Sequence, residues 1–372
     1  MLIGVPKEVK NHEYRVGMTP TSVREAVLHG HQVIVQTDAG DIIGLDDEHY
    51  RKAGADIAAD AAEVFAKADM IVKVKEPQPE ECAMLREGQV LFTYLHLAPD
   101  LAQTEALMAS GAMAIAYETV TDARGGLPLL SPMSEVAGRM SIQAGAYCME
   151  LDKGGNGVLL GGVPGVPVAN VVVIGGGIVG INAARMAMGM EARVTVLDRS
   201  LDRLRELDGL YGHQLNTIYS TVDAVEKNVL EADLVIGAVL VPGAAAPKLV
   251  TEDMVKQMGR GSVLVDVAID QGGCFETSRP TSHAEPTYIE HGVVHYCVTN
   301  MPGAMARTST YALNNATLPF ILALADKGPQ QALGENAHFL EGLNVNKGEV
   351  TYRAVAENLD LPYRPAAESL GH

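Results

Sequence analysis

The sequence predicts an α/β protein built from two doubly wound, parallel-sheet domains, and three observations support this prediction. Short apolar runs alternate with helical segments along most of the 372 residues, which is the pattern of βαβ units and a parallel sheet. A chain of this length can also build two separate hydrophobic cores. Near its middle, β-branched residues lead into a glycine-rich turn over residues 171–180. Such a turn is typical of the first strand of a dinucleotide-binding domain.

The first 125 or so residues already contain the strands and helices of one α/β domain. Strands are predicted over 2–5, 32–37, 70–75, 90–94 and 112–116, and helices over 20–30, 47–53, 60–68 and 99–110. A stretch with glycine and proline, residues 122–132, marks the end of this domain. A helix over 134–151 follows, with Val136, Met140, Tyr147, Cys148 and Leu151 predicted to share an apolar face.

The glycine-rich turn satisfies the pattern G-x-G-x-x-G through Gly175, Gly177 and Gly180. Glycine permits a tight turn and lets backbone N–H groups approach a pyrophosphate, while the helix predicted over 178–190 directs its N-terminal dipole at that anion. The next strand ends in Asp198, where a carboxylate can bind the ribose hydroxyls and disfavours a 2′-phosphate. The cofactor predicted from these residues is NAD, although Arg199 weakens the distinction from NADP. The alternative is a glycine-rich turn in an ordinary α/β core.

The second half of the chain completes the dinucleotide-binding domain. Its strands are predicted over 171–175, 193–198, 217–219, 233–239, 262–267 and 294–298. A long apolar helical region over 307–327 is not needed by this domain and is predicted to cross back to the first one, followed by a polar C-terminal segment that ends in a loose tail. We therefore expect a substrate domain over 1–128 and 307–372 and an NAD-binding Rossmann domain over 129–306.

Composition restricts the partners. The formal net charge of −18 makes nucleic acid and anionic membranes unsuitable partners, and the uncharged run 168–184 is better explained as a buried strand, turn and helix than as a membrane span. The first residues lack a signal-peptide pattern, and the four cysteines form no C-x-x-C pair. These features predict a cytoplasmic protein with reduced thiols.

Four polar side chains end or follow predicted strands, where ligands bind in open α/β sheets. They are Arg15, Lys75, His96 and Asp270, and we expect them to face one interdomain crevice. Each has an alternative without function: a surface ion pair for Arg15, a solvated strand end for Lys75, a buried core histidine for His96 and turn chemistry for Asp270. No zinc-ligand spacing and no G-x-S-x-G motif is present, so neither a metal site nor serine hydrolysis is predicted.

Several motifs together resemble the L-alanine dehydrogenase family along nearly the whole chain. They are residues 4–8 with Arg15-Val16, 72–77, 91–98, 131–139, 161–166, 265–273 and 297–304. The match is looser over 38–44 and in the last 40 residues, and Thr299 stands where a small residue is expected.

The resemblance implies reversible NAD-dependent oxidative deamination of L-alanine to pyruvate and ammonia by a two-domain subunit of a homohexamer. It assigns the substrate carboxylate to Arg15 and Lys75, and the acid/base roles to His96 and Asp270. The implied NAD contacts are Ser134, Gly175, Gly177, Ile178, Val179, Gly180, Asp198, Arg203, Ser220, Val239, Leu240, Val267, Ala268, Ile269, Asp270, Arg279, Val298, Asn300 and Met301.

Three other functions remain as alternatives. A transhydrogenase NAD-binding subunit shares the architecture but needs no substrate acid or base. A lysine- or saccharopine-type dehydrogenase would have a roomier substrate pocket. A catalytically silent NAD(H)-binding regulator would have no reason to keep Arg15, Lys75, His96 and Asp270 together.

Overall fold

The computed structural model describes residues 1–239 and 246–371. In these residues the strands are β1 Leu2–Val5, β2 Gln32–Gln36, β3 Asp56–Ala58, β4 Met70–Val72, β5 Val90–Thr93, β6 Met113–Ala116, β7 Asn170–Ile174, β8 Arg193–Asp198, β9 Leu215–Tyr219, β10 Leu234–Gly237, β11 Val263–Asp266, β12 Thr287–Glu290, β13 Val293–Tyr296, β14 Leu343–Asn346 and β15 Glu349–Val350. The helices are α1 Pro20–Leu28, α2 Asp47–Ala53, α3 Ala61–Lys67, α4 Pro79–Cys82, α5 Leu101–Ser110, α6 Ser131–Cys148, α7 Ile178–Gly189, α8 Leu201–Tyr211, α9 Val222–Leu230, α10 Glu252–Gln257, α11 Met301–Ala304, α12 Ala306–Lys327, α13 Pro329–Gly334, α14 Ala337–Leu340, α15 Arg353–Leu359 and α16 Ala366–Leu370. Two compact units result: unit 1 is Met1–Met133 with Met305–His372, and unit 2 is Ser134–Ala304.

The sheet of unit 1 has the order β15-β14-β6-β5-β4-β1-β2-β3. Strands β1 to β6 of this sheet are parallel, in the 3-2-1-4-5-6 arrangement of a doubly wound fold. Alternate residues of one strand enter different apolar cores: Val33 and Val35 of β2 lie in one, and Ile34 lies in the other. Both faces of the sheet are therefore covered, which explains why its strands read as continuous apolar runs.

The sheet of unit 2 repeats this arrangement, with the order β12-β13-β11-β10-β7-β8-β9. Strands β7 to β11 and β13 are parallel, and β12 pairs with β13 in the antiparallel direction. The α/β fold class with two Rossmann-like sheets is thus confirmed. The antiparallel strands β12, β14 and β15 were not predicted, nor was the short strand β3.

The C-terminal segment does not end in the predicted loose tail, because helix α16 forms there with Ser369 and Leu370 buried, and the residues before it are ordered as well. Leu343 and Val345 of β14 are fully buried, and this strand pairs with β6. Polar residues can be buried in this strand because their side chains are hydrogen-bonded inside the protein. Asn344 Nδ2 donates to Thr119 Oγ1 at 2.8 Å, and Asn346 Nδ2 donates to Ser369 Oγ at 2.9 Å. Polar composition here reflects buried hydrogen bonding and not disorder.

Two further elements differ from their predicted bounds by three residues, whereas the other predicted elements lie within two residues at each end. Helix α6 begins at Ser131 because Pro132 occupies its first turn, where proline is tolerated, and it ends at Cys148. Tyr147 and Leu151 are 54% and 76% exposed, so the apolar face predicted for this helix does not extend to them. Strand β4 ends at Val72, before Lys75. Within the described residues no helix is long and apolar enough to cross a membrane.

Candidate active site

Three of the predicted site residues of unit 1 follow neighbouring strands. Arg15 lies in the loop after β1, Lys75 comes after β4, and His96 comes after β5. Strand β4 pairs with both β1 and β5, and the strand order reverses between β1 and β4. The fold therefore places all three residues at the carboxyl edge of the sheet beside its switch point, which is where α/β sheets bind ligands.

The loop that carries Arg15 is held by helix α12 from the C-terminal part of the chain. Asn314 Nδ2 donates to the carbonyl of Gly17 at 2.7 Å, and the Asn314 side-chain oxygen accepts from Thr19 N at 2.9 Å. A Cβ on Gly17 would lie 2.3 Å from the carbonyl oxygen of Val72, so this loop passes directly over the end of β4. The sequence segment after residue 305 is thus part of what positions Arg15.

The guanidinium of Arg15 is 2% exposed and forms a fork with a buried carboxylate. Arg15 Nε donates to Glu13 Oε1 at 2.7 Å, and Nη2 donates to Glu13 Oε2 at 2.5 Å. Nη1 lies 3.1 Å from the sulfur of Met133. Burial would lower the pKa of Arg15, but the hydrogen bonds and charge of Glu13 outweigh it and the pKa is raised. Arg15 is therefore a fixed, permanently charged group, and it is not the solvated surface residue of the alternative interpretation.

Lys75 is largely buried, with a side chain 14% exposed, and its ammonium lies 3.8 Å from Glu76 Oε2. Glu76 also receives an ion pair from Lys10. Burial would raise the pKa of Glu76, but the charges of Lys75 and Lys10 overcome that effect and the pKa is lowered. The backbone of Lys75 is fixed to the neighbouring strand, since Thr93 Oγ1 donates to its carbonyl at 2.9 Å. A cation is thus held after the end of β4, at a distance from Glu76 that is too long for a hydrogen bond.

The sequence interpretation missed a buried ionic cluster around Lys73. Its ammonium is fully buried and lies 2.7 Å from Glu81 Oε1 and 3.1 Å from Glu8 Oε2. Glu8 Oε1 also accepts from Val74 N at 2.7 Å. Burial raises the pKa of Glu8. The sequence contained one sign of this cluster, since Lys73 lies inside an apolar strand run and a buried charge requires a partner of opposite charge.

His96 has the left-handed backbone conformation, with φ of 51°, and its side chain is 45% exposed. Glu118 holds this conformation: its Oε1 accepts from His96 N at 2.6 Å and from Leu95 N at 3.1 Å, and lies 3.9 Å from His96 Nδ1. The imidazole stacks on the ring of Tyr94, with 5.8 Å between centroids, and the Tyr94 hydroxyl donates to the carbonyl of Leu129 at 2.6 Å. His96 is thus an accessible imidazole beside a carboxylate and not a core histidine.

In unit 2 the three glycines of the turn after β7 have different roles. Gly175 has φ of 104°, and a Cβ on it would lie 2.7 Å from the carbonyl of Ala238, while a Cβ on Gly180 would lie 1.8 Å from the carbonyl of Gly175. A Cβ on Gly177 would meet no atom within 4 Å. Gly177 is also the N-cap of α7 and supplies no side-chain cap. The N-terminal amides of α7 therefore face open space, as a phosphate-binding helix requires.

Asp198 at the end of β8 is tied to the same turn. Its Oδ2 accepts from Gly176 N and its Oδ1 from Ser200 N, both at 2.7 Å. Arg203 Nε donates to the carbonyl of Gly176 at 2.6 Å, and Ser220 N donates to the carbonyl of Asp198 at 2.9 Å. The structure thus brings Asp198, Arg203 and Ser220 together beside the glycine turn.

Ser134 lies on α6 one turn before a close contact with α7. A Cβ on Gly138 would lie 2.2 Å from the carbonyl of Val179, and Arg139 Nε donates to Asn182 Oδ1 at 2.9 Å. This backbone contact fixes the first turn of α7 against α6, and the sequence interpretation missed the residues that make it.

Asp270 is exposed on a short 3-10 turn, Val267–Gln271, directly after β11. The predicted contacts Ala268, Ile269, Val298 and Met301 are buried, and Val267, Val239 and Asn300 are partly buried. Val239 lies beside Gly175, since its backbone nitrogen is 3.2 Å from the position of a Cβ there. The exposed guanidinium of Arg279 lies over the ring of Tyr288, 3.9 Å from its centroid. Ile178 and Val179 form the first turn of α7, whereas Leu240 falls outside the described residues.

These arrangements suit two kinds of ligand. The open amides of α7 with Asp198 fit a dinucleotide, because they offer donors to a pyrophosphate and an acceptor to ribose hydroxyls. The Arg15 and Lys75 cations with the His96 imidazole fit a small carboxylate on which a proton must be moved. In the part of the chain that the structure describes, no group of three or more His, Cys, Asp or Glu side chains could hold a metal ion.

Comparison with known proteins covers the whole chain. The N-terminal domain of the alanine dehydrogenase/PNT family matches residues 4–137, and the C-terminal domain of that family matches residues 141–353. An alanine dehydrogenase of Halomonas elongata is 62% identical over 371 residues, which cover 100% of both chains.

Solved structures agree with this assignment. One titled L-alanine dehydrogenase has a TM-score of 0.94 at 51% identity and covers 97% of this chain and 99% of its own. A transhydrogenase from Sinorhizobium meliloti has a TM-score of 0.82 at 25% identity and covers 95% of this chain and 100% of its own. With both domains matched in order and such identity along the full length, the chain belongs to the alanine dehydrogenase/PNT family.

Proposed function

We propose that this protein catalyses the reversible, NAD-dependent oxidative deamination of L-alanine to pyruvate and ammonia. The observation that carries the proposal is that a full-length relative named alanine dehydrogenase is 62% identical. The cluster at the switch point of unit 1 supports it, because a fixed guanidinium, an ammonium and an accessible imidazole suit a small amino acid.

Arg15 and Lys75 bind the substrate carboxylate in this proposal. A planar guanidinium can donate to carboxylate oxygens in a fixed geometry, and an ammonium adds a point charge. Because the Glu13 pair holds Arg15 in one orientation, little conformational entropy is lost when substrate binds. These local cations also attract an anion to a chain whose net charge is −18.

His96 and Asp270 are proposed to move the protons of the reaction. Overall, zwitterionic alanine and water become pyruvate and ammonium, with loss of a hydride from Cα and of one proton. NAD⁺, when bound, supplies the acceptor for that hydride. His96 takes a proton from the substrate nitrogen, a role for which an imidazole is suited, and Glu118 orients it. Asp270 exchanges protons with the water that adds to the imine and with the ammonia that leaves.

Unit 2 is proposed to bind NAD, with unit 1 as the substrate domain. The amides at the start of α7 would receive the pyrophosphate, with Ser134 on the adjoining helix, and Asp198 would receive the adenosine ribose. Because a carboxylate repels a 2′-phosphate, we expect NAD to be preferred over NADP. A homohexamer stays a prediction from the family resemblance, and a cytoplasmic location stays a prediction from the sequence features of the chain.

The test is an assay of NADH formation from NAD⁺ with L-alanine or L-lysine, set beside an assay of hydride transfer between two nucleotides. We expect turnover with L-alanine. Activity with L-lysine alone, or hydride transfer between nucleotides alone, would overturn the proposal.

The role of His96 is tested with His96→Asn, because asparagine tolerates the left-handed backbone better than alanine does. We expect kcat to fall by about 10²–10⁴-fold while NADH binding is retained. The matched control is His49→Asn, which changes an exposed histidine paired with Asp46 in the same helix turn. Near-normal turnover of His96→Asn would remove His96 from this role.

A further inference from the structure

The turn that carries Asp270 is held by two opposite charges that the proposed chemistry does not use. It begins with the 3-10 turn Val267–Gln271 and continues through Gly272 and Gly273, whose φ values are 87° and 76°. Ala268 and Ile269 are buried, whereas Asp270 after them is exposed. The conformation from Asp270 through the two glycines therefore depends on what the backbone groups bind.

The negative clamp is Asp266, the fully buried last residue of β11. Its Oδ1 accepts from Ala268 N at 3.1 Å, and its Oδ2 accepts from Cys274 N at 2.9 Å and from Ser278 Oγ at 2.5 Å. One carboxylate thus joins the start of the turn to its end. A Cβ on Gly273 would lie 2.6 Å from Asp266 Oδ2, so the turn passes this carboxylate at a distance that only glycine permits.

The positive clamp is Lys248. Its ammonium donates to the carbonyls of Gly272 at 2.5 Å, Gly273 at 2.9 Å and Phe275 at 3.1 Å. An ammonium has three N–H donors, so these three carbonyls match its whole capacity. The backbone on either side is paired as well, because Ala246 N donates to the carbonyl of Gln271 and Leu249 N to that of Cys274.

Lys248 differs from other exposed lysines of this acidic chain. Lys52, Lys67, Lys256 and Lys327 all pair with glutamate or aspartate. Lys248 instead binds backbone carbonyls of one turn, although the chain has 46 acidic residues available. Asp266 binds the amides of the same turn, so each charge satisfies the backbone groups of opposite polarity.

We infer that Lys248 and Asp266 are positioning residues that together fix the turn bearing Asp270 for proton transfer. The inference rests on the proposed role of Asp270 as an acid/base group. Proton transfer requires hydrogen-bond distances, and a misplacement of about 1 Å can cost about 10²-fold in rate. Asp270 itself is exposed and two glycines follow it closely, so the hydrogen bonds of Lys248 and Asp266 are what fix this part of the backbone.

The experiment compares Lys248→Met with Lys248→Arg and with the control Lys256→Met in the full-length enzyme. We expect Lys248→Met to lower kcat for alanine deamination by up to about 10²-fold. The KM for alanine should stay unchanged, because Arg15 and Lys75 are untouched, and Lys248→Arg should recover part of the rate. Amide hydrogen exchange at Ala268, Cys274 and Phe275 should accelerate in Lys248→Met and not in Lys256→Met.

Asp270→Asn, measured in parallel, separates the two proposals. If Asp270→Asn is inactive while Lys248→Met has the same kcat as Lys256→Met, Lys248 is not a positioning residue and the proposed function stands. If Asp270→Asn is fully active, the role of Asp270 is wrong and the positioning inference fails with it, whatever the exchange rates show. A fall in stability of Lys248→Met with unchanged kcat would also overturn the inference, because it would mean that Lys248 acts on structure alone.

Discussion

The two units share one strand order but present opposite chemistry where that order reverses. In unit 2 the groups at the switch point that could bind a ligand belong to the backbone, in a glycine turn and at the N-terminus of α7, which has no side-chain cap. In unit 1 it offers charged side chains, with Arg15 against Glu13 and Lys73 between Glu8 and Glu81. The same topology can thus support an anion site made of amides or one made of cations, so function follows from the site and not from the fold.

The length of the first connection accounts for the difference. In unit 2 only residues 175–177 separate β7 from α7, so the helix begins beside the strand end and its amides stay available. In unit 1 residues 6–19 separate β1 from α1. There Thr19 caps the helix, since its Oγ1 accepts from Ser22 N at 3.3 Å, and Pro20 follows. One amide of the first turn of α1 is thereby occupied and Pro20 has none to offer, and the long loop brings Arg15 to the strand edge instead.

The largest effect is expected in unit 1, on the free energy of unfolding, when Lys73→Met removes the cation of the buried ionic cluster. Two buried carboxylates would lose their cation, and removing one partner of a buried ion pair destabilises by about 3–5 kcal/mol. The measurement is the free energy of unfolding from denaturant titration. Lys67→Met is the control, because Lys67 makes an exposed pair with Glu63 of the kind worth about 0.5 kcal/mol or less.

A second variant shows whether unpaired charge is the cause. Adding Glu8→Gln and Glu81→Gln to Lys73→Met should recover part of the lost stability, because neutral side chains remove the unpaired charges. Equal stability of Lys73→Met and Lys67→Met would contradict the importance of this cluster in unit 1.

An intermediate effect is expected on the backbone side of the contrast, from Gly177→Ala. A Cβ on Gly177 meets no protein atom within 4 Å, so folding should tolerate it, but it would occupy the space that a phosphate needs. We expect the Kd for NADH to rise about 10–100-fold, which is about 1.4–2.8 kcal/mol, with an unchanged melting temperature. Gly189→Ala is the matched control, since that glycine ends the same helix and its Cβ would also meet nothing within 4 Å. Equal NADH affinity in the two variants would rule out phosphate binding at this turn.

The contrast also shows which features could be predicted from the sequence. The turn after β7 is local, and strand β8 ends at Asp198 as predicted, because glycine spacing and β-branched runs act over a few residues. In the Glu8–Lys73–Glu81 cluster, Lys73 binds a glutamate 65 positions away in sequence, and such a partner cannot be identified from local spacing.

Strand β14 was missed for a related reason. It pairs with β6 across more than two hundred residues of chain, and its asparagines conceal its burial. Distance does not explain why β12 and β15 were missed, since they pair with their sequence neighbours β13 and β14.

The smallest effect concerns a buried titratable group of unit 2 that is neutral, in contrast to the paired ions of unit 1. His295 in β13 is fully buried, with Nδ1 3.0 Å from the carbonyl of Val293 and Nε2 2.7 Å from Thr277 Oγ1. Burial lowers the pKa of His295 from its usual 6.5.

This shift makes the stability of the protein depend on pH. As the pH falls, the unfolded chain binds a proton at this histidine before the folded chain does. The stabilising contribution of His295 is therefore complete above about pH 6.5 and is lost as the pH falls towards the folded-state pKa. We expect the melting temperature to fall less between neutral and acid pH in His295→Gln than in the unchanged protein, as measured by thermal unfolding at a series of pH values. His213→Gln, which changes an exposed histidine of the same unit, should keep the original slope. If His295→Gln has the same pH dependence of the melting temperature as the unchanged protein, protonation of His295 does not contribute to the loss of stability at acid pH.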